Sequence, residues 1–223
     1  MKMLPSLGGT SCRLGELNAG APVRSSHSSP ARSMRSGLAK VSGSLAKLHQ
    51  VKLYNAGSYF DAQAISESDD AAIAKLLAKF DRVIVESHPA LVRDRCIRFR
   101  DQLAGQLEVA LGLETVHPEA LEKLNKRVTL DQFRDAADFI TRHEIALRTF
   151  VLLQPPFIPV DESVEWARRS IDFSQDCGAT VTALIPTRTG NGAMDRLAAV
   201  GQFIEPTLVQ LEDTICLLYT SPS

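Results

Sequence analysis

"RVIVESHPALVRDRCIRFRDQLA", Arg82 to Ala104, decides the fold class. Val83, Ile84 and Val85 are consecutive and apolar, so they read as a short strand buried on both faces. Glu86, Ser87 and His88 form a polar corner, and Pro89 opens a helix. A buried strand followed at once by a helix is one unit of a parallel α/β sheet. The same unit recurs along the chain. "VKLY" from Val51 precedes "SDDAAIAKLLAKF", whose Ile73, Leu76, Leu77 and Phe80 share a helical face. "QLEVALGLE" precedes "HPEALEKLNK" and "TLDQFRDAADFITRH", the second with Thr129 as its N-cap. "ALRTFVLLQ" precedes "DESVEWARRSIDFSQDC", which stops at Gly178. "TVTALIP" precedes "GAMDRLAAVG". Five strand-helix units predict parallel pairing with right-handed crossovers. A full eight-unit barrel takes about 250 residues, so an open sheet or a partial barrel is expected.

Both ends differ from this middle. The chain has 223 residues, 44% hydrophobic and 23% charged. Residues 1–50 hold seven Lys or Arg against one acid, Glu16, whereas the remainder holds 18 against 25. "VRSSHSSPARSMRS" has neither helical nor strand period. Residues 1–44 therefore read as a disordered arm, a linker, a transit-like segment or an out-of-frame translation, the last being favoured. "CLLYTSPS" resembles read-through of a sequencing adaptor, so residues 215–223 are expected to be an artefactual tail on a chain cut by its read. Residues 45–214 form the expected domain. No apolar run reaches the roughly 18 residues of a spanning helix, and no secretory signal is present, so a cytoplasmic location with no membrane partner is expected. Cys12, Cys96, Cys177 and Cys216 form no CxxC pair, and no metal site is expected from their spacing.

Ligands of parallel α/β folds bind at the C-terminal ends of the strands. Asn55, Gly57 and Ser58 follow the first strand, Glu86 the second and Glu114 the third. Gln154 follows the fourth and Arg188 the fifth. Asn55 to Ser58 read either as a plain turn or as a place where a ligand approaches the backbone. Glu86 reads either as a ligand contact or as half of a structural ion pair with a neighbouring Arg. His88 and His117 are read as loop residues. The run Arg93, Arg95, Arg98 and Arg100 is read as a solvated face, and Trp166 and Phe173 as core. No dinucleotide fingerprint, P-loop or Ser-His-Asp set is present.

The stretches "VKLYNAGSYFD", "VIVESHPALV", "LEVALGLET", "LEKLNKRVTLDQFRDAADFI", "RTFVLLQPPFI" and "IPTRTGNGAMDRL", in that order, resemble the radical S-adenosylmethionine (SAM) superfamily. The likeness is to the group that holds the radical SAM subunit of archaeosine synthase and the Elongator catalytic subunit. It implies a partial (β/α)6 TIM-like barrel, with SAM and a [4Fe-4S] cluster in the intact family and tRNA as a possible substrate. By the resemblance, Asn55, Gly57 and Ser58 meet the methionine part of SAM, Glu114 the ribose, and Gln154 the adenine side. Glu86 and Arg188 share the rim. The family's first strand ends in a CxxxCxxC loop whose thiolates hold the cluster. Nothing before Val51 matches it, and "TSCRLGELNAGAPV" offers only Cys12. A recognisable first strand is therefore lacking, and a reading frame lost upstream of about Leu45 would account for it. The resemblance implies a 5′-deoxyadenosyl radical in the intact protein, but neither a cluster nor activity in this chain. The alternative is a non-catalytic α/β ligand-binding domain.

Overall fold

The computed structural model describes residues 11–13 by their backbone, then 49–53, 57–190 and 192–220, without the side chains of 217–220. Six strands follow one another in the sheet in chain order. They are β1 (Ser11–Arg13), β2 (Gln50–Leu53), β3 (Arg82–Ser87), β4 (Gln106–Glu114), β5 (Ala146–Leu153) and β6 (Val181–Pro186). The strands are parallel. The three residues of β1 pair with β2, Ser11 opposite Gln50 and Arg13 opposite Lys52. The helices are α1 (Asp70–Leu77), α2 (Asp94–Arg100), α3 (Pro118–Lys123), α4 (Leu130–Arg142), α5 (Ser163–Asp176), α6 (Ala193–Ala199) and α7 (Leu208–Thr220).

The chain forms two compact units. The first takes the described residues through Ala110 together with Phe139–Ala146. Its core joins Val51 and Leu53 of β2, Val83 and Val85 of β3, and Leu107 and Val109 of β4 to Ile73, Leu77 and Phe80. Tyr59, Phe60 and Phe99 add an aromatic cluster, with Tyr59 and Phe99 centroids 4.7 Å apart. The helix expected from Pro89 to Ala104 is broken. A 3-10 turn spans Pro89–Leu91, Val92 and Arg93 are extended, and α2 starts only at Asp94. Val92 is fully buried, so the chain dips into the core between the two turns.

Arg95 is not on a solvated face. Its guanidinium donates to both oxygens of Asp70, Nε at 2.9 Å and Nη2 at 2.8 Å, and to the Ile65 carbonyl at 3.0 Å. The Tyr59 hydroxyl donates to the same carboxylate at 3.2 Å. All three side chains are more than nine-tenths buried, a burial that charged groups tolerate only when paired. Glu108, also fully buried, accepts from Arg82 at 3.0 Å.

The second unit takes Leu111–Asp138 and Leu147–Ser223. Leu111, Leu113, Phe133, Leu147, Val151, Leu153 and Ile171 fill its core. A hydroxyl chain crosses it, Thr149 to Ser174 at 2.7 Å and Ser174 to Thr182 at 2.6 Å. The N-terminus of α4 carries a reciprocal cap. Gln132 N–H donates to Thr129 Oγ1 and Thr129 N–H to Gln132 Oε1, both at 3.1 Å. Gly178, at φ 82°, terminates α5 as expected. β6 departs from the pattern of its neighbours: all six of its residues are half-buried, because it is the last strand in the order and only one edge is paired.

Candidate functional site

Each sequence-predicted residue within the described chain sits at or just beyond the C-terminal end of its strand. Asn55 lies outside the described residues, as does Asn191.

In the first unit the corner after β2 is tied to the corner after β3. Tyr59 N–H donates to the Glu86 carbonyl and His88 N–H to the Ser58 hydroxyl, both at 2.8 Å. Ser58 therefore already serves the fold. The Glu86 carboxylate lies 2.6 Å from Lys52 Nζ on the neighbouring strand, so its structural partner is a lysine rather than an arginine. Gly57 is exposed, and a Cβ there would meet no described atom within 4 Å. An open concavity of about 670 Å³ also belongs to this unit, lined by His49, Asp81, Arg82 and Gln106 among others. Those residues stand at the N-terminal ends of β2, β3 and β4, the wrong end for a ligand of a parallel α/β fold.

In the second unit two neighbouring strands end in left-handed backbone. Glu114 has φ 66° and Gln154 φ 52°. Thr115 N–H donates to the Leu113 carbonyl at 2.8 Å, so Glu114 is the centre of a γ-turn of the rarer, strained hand. Its carboxylate lies 3.2 Å from Lys126 Nζ and is 14% exposed. Gln154 is buried, with its Nε2 donating to the Ile158 carbonyl at 2.8 Å. That bond fixes which way the amide faces, and its Oε1 is buried without a hydrogen-bond partner among the described residues. An unpaired buried acceptor of this kind calls for a donor from elsewhere. Pro155 and Pro156 beside it are buried, and Phe157 is a further left-handed residue at φ 72°.

Beyond β6, Thr187 donates through its N–H and its hydroxyl to the Leu153 carbonyl at 3.1 and 3.0 Å. The loop is then held by two acids. Glu205 accepts from the Thr189 hydroxyl and N–H. Asp195 accepts from Gly190 and Gly192 N–H at 2.8 Å each. Those hydrogen bonds hold both carboxyls below their usual range. Arg188 is exposed on this loop.

Sequence reasoning missed the role of two histidines. His88 Nδ1 accepts from Ala90 N–H at 3.1 Å, and His117 Nδ1 from Ala120 N–H at 3.2 Å. Each caps a turn that begins with proline, and the His-Pro pair in "SHPA" and "VHPE" was the available signal.

Cys96 and Cys177 do not fit an iron-sulfur cluster. Cys96 is fully buried and its thiol is pushed up to about 11, chiefly by that burial. Burial likewise raises Cys177. A cluster requires thiolates. Among the described residues no three His, Cys, Asp or Glu side chains gather as a metal site. The side chain of Cys12 is outside the description. No helix of the described residues is long and apolar enough to cross a membrane.

No protein-family model matches the chain. Curated relatives do. An uncharacterized protein of Methanocaldococcus jannaschii is 26% identical over 149 residues, 65% of this chain and 41% of its own length. The archaeosine synthase subunit beta of Thermococcus kodakarensis is 29% identical over 54% of this chain and 39% of its own. That of Methanosarcina acetivorans is 26% identical over 71% and 47%. The chain thus spans less than half the length of the curated relatives it matches. Among solved structures, Elp3 of Methanocaldococcus infernus aligns with a TM-score of 0.62 at 12% identity, over 83% of this chain and 47% of that one. Coproporphyrinogen III oxidase of Escherichia coli, described as a radical SAM enzyme, aligns at 0.55 and 12%, over 77% and 40%. TsrM of Kitasatospora setae, a radical SAM methyltransferase solved with cobalamin and a [4Fe-4S] cluster bound, aligns at 0.52 and 17%, over 76% and 34%. The fold is that of a partial α/β TIM-like radical SAM core, and in sequence the chain is similar to archaeosine synthase beta subunits.

Proposed function

We propose that the chain is part of a radical SAM enzyme core that binds S-adenosylmethionine at its strand C-terminal ends, in a cytoplasmic protein that modifies tRNA. The relatives named archaeosine synthase subunit beta support the tRNA assignment. The observation that carries the cofactor assignment is the pair of left-handed strand exits at Glu114 and Gln154 in the second unit. Non-glycine residues held in that region cost of order 1–3 kcal/mol each and cluster where ligands bind. In this reading Glu114 accepts from the ribose hydroxyls. Gln154 Oε1 takes an N–H donor of the adenine, because a buried neutral amide followed by two prolines suits a flat heteroaromatic amine better than a charged ammonium. Arg188 lies on the loop that closes the same unit's strand ends. Asn55, Gly57, Ser58 and Glu86 belong to the proposal by resemblance alone.

Isothermal titration with SAM and with S-adenosylhomocysteine tests it. Weak, measurable binding is expected from this chain. Glu114→Ala removes a charged hydrogen-bond acceptor, a loss of about 1.5–3 kcal/mol, so affinity falls roughly 10- to 150-fold. Gly57→Val weakens binding by obstruction. Tight binding indifferent to both substitutions moves the site elsewhere, and no binding at all removes the cofactor assignment from this chain.

A further inference from the structure

Gly112 stands two residues before Glu114 on β4, so the two share a face of the strand. A glycine inside a strand weakens it and marks a bulge or a close approach. Backbone conformation does not require it here, because Gly112 is not among the positive-φ glycines. Nor does packing against another element. A Cβ built at Gly112 would meet, among the described residues, only the Glu114 carboxyl: Oε1 at 2.7 Å and Cδ at 3.6 Å. The first distance is shorter than real Cβ contacts allow. The Glu114 side chain therefore folds back along its own strand into the space that Gly112 leaves. Lys126 Nζ lies 3.2 Å from the same Oε1. All three residues lie in the second unit.

We propose that Gly112 is a positioning residue: its missing side chain forms the slot that seats the Glu114 carboxylate, with Lys126 as the carboxylate's second anchor, for a ligand that carries a vicinal diol. This rests on the proposal that Glu114 accepts from ribose hydroxyls, and it extends that proposal to the residue that sets the acceptor's direction. A carboxylate needs no cradle to form an exposed ion pair with a lysine. It needs one to present a fixed lone-pair direction to two neighbouring hydroxyls. A γ-turn that fixes the Glu114 backbone and a slot that fixes its side chain serve that one end.

The probes are S-adenosylhomocysteine and its 2′,3′-dideoxyribose analogue, titrated calorimetrically into the whole chain and its variants. The unsubstituted chain is expected to favour the ribose ligand by about 10-fold or more. In Gly112→Ala this preference collapses towards that of Glu114→Ala, while the melting temperature is unchanged or raised, since the displaced group is the far end of a flexible side chain. The double variant Gly112→Ala/Glu114→Ala is no worse than Glu114→Ala alone, the signature of two residues acting through one group. If Glu114→Ala loses the preference and Gly112→Ala keeps it, the slot is refuted while Glu114 keeps its role. If Glu114→Ala changes nothing, or no ligand binds, both proposals fall. Should Gly112→Ala not fold, Lys126→Met decides: a ribose preference retained there overturns the cradle, and a preference lost supports it.

Discussion

Asp70→Ala is expected to be among the most damaging single substitutions in the first unit. The Asp70 carboxylate accepts three hydrogen bonds, two from Arg95 at 2.8 and 2.9 Å and one from Tyr59 at 3.2 Å. Asp70 is 2% and Arg95 7% exposed. Alanine leaves the guanidinium buried with the Ile65 carbonyl as its remaining described hydrogen-bond partner. Removing one member of a buried pair costs about 3–5 kcal/mol, because the other charge stays behind uncompensated. For a chain of this size that corresponds to a melting temperature roughly 6–20 °C lower. Arg98→Ala is the control. Its bond to Glu67 is as short, 2.8 Å, but both side chains are 53% exposed, and an exposed pair contributes about 0–1 kcal/mol. Asp70→Leu with Arg95→Met removes both charges and recovers most of the loss, since hydrophobic replacement of a whole buried pair is often neutral or stabilising. Urea denaturation of the four proteins measures this, with hydrogen exchange on peptides from α1 and α2 to localise it. An Asp70→Ala loss no larger than that of Arg98→Ala would refute the reasoning.

Two further predictions concern groups away from the site. Cys96, fully buried and raised to about 11, largely by desolvation, is expected to resist iodoacetamide at pH 8 while exposed Cys216 reacts; peptide mapping that finds Cys96 alkylated in the native chain contradicts this. Its folded-state pKa lies above the unfolded value near 9, so its contribution to stability is complete below that pH and is lost as pH rises towards 11, and Cys96→Ala flattens that slope in urea midpoints. Thr129→Ala removes one half of the reciprocal cap of α4 and is expected to cost about 1 kcal/mol; an unchanged midpoint would show that the cap contributes nothing in this setting.

β3 and β4 were legible because burial on both faces forces consecutive apolar residues. β4 occupies Gln106–Glu114, the span of the quoted "QLEVALGLE". Helix α4 was legible from Thr129 and Gln132, whose spacing is itself the cap. What stayed hidden depends on partners far along the chain. Arg95 finds Asp70 25 residues away, and no local pattern separates it from Arg98, which is exposed. Glu108 interrupts an apolar strand and gave the only hint of its bond to Arg82. The Pro89 helix was misjudged because Val92 is as apolar as a helical residue, and only the depth of the core beneath it draws the chain straight. The candidate site was legible as a set of strand ends. Which of those ends is constrained beyond the needs of the fold was not, since backbone strain leaves no mark on composition.

That constraint separates the two glutamates the sequence treated alike. Glu86 and Glu114 both end strands, and both face a lysine, Lys52 at 2.6 Å and Lys126 at 3.2 Å. An ion pair between neighbouring strands needs nothing unusual of the backbone, and Glu86, absent from the positive-φ residues, pays nothing to reach Lys52. Glu114 reaches Lys126 from a left-handed γ-turn, near a glycine at which an added Cβ would run into that carboxylate. A half-exposed lysine is worth at most about 1 kcal/mol to it, less than the 1–3 kcal/mol of order that such a backbone costs. On that comparison the pair with Lys126 leaves part of the cost of the Glu114 conformation without an offset, whereas Glu86 reaches Lys52 from ordinary backbone. The excess at Glu114 is what the proposed binding role would account for, since a residue set to meet a ligand carries strain that the fold does not need.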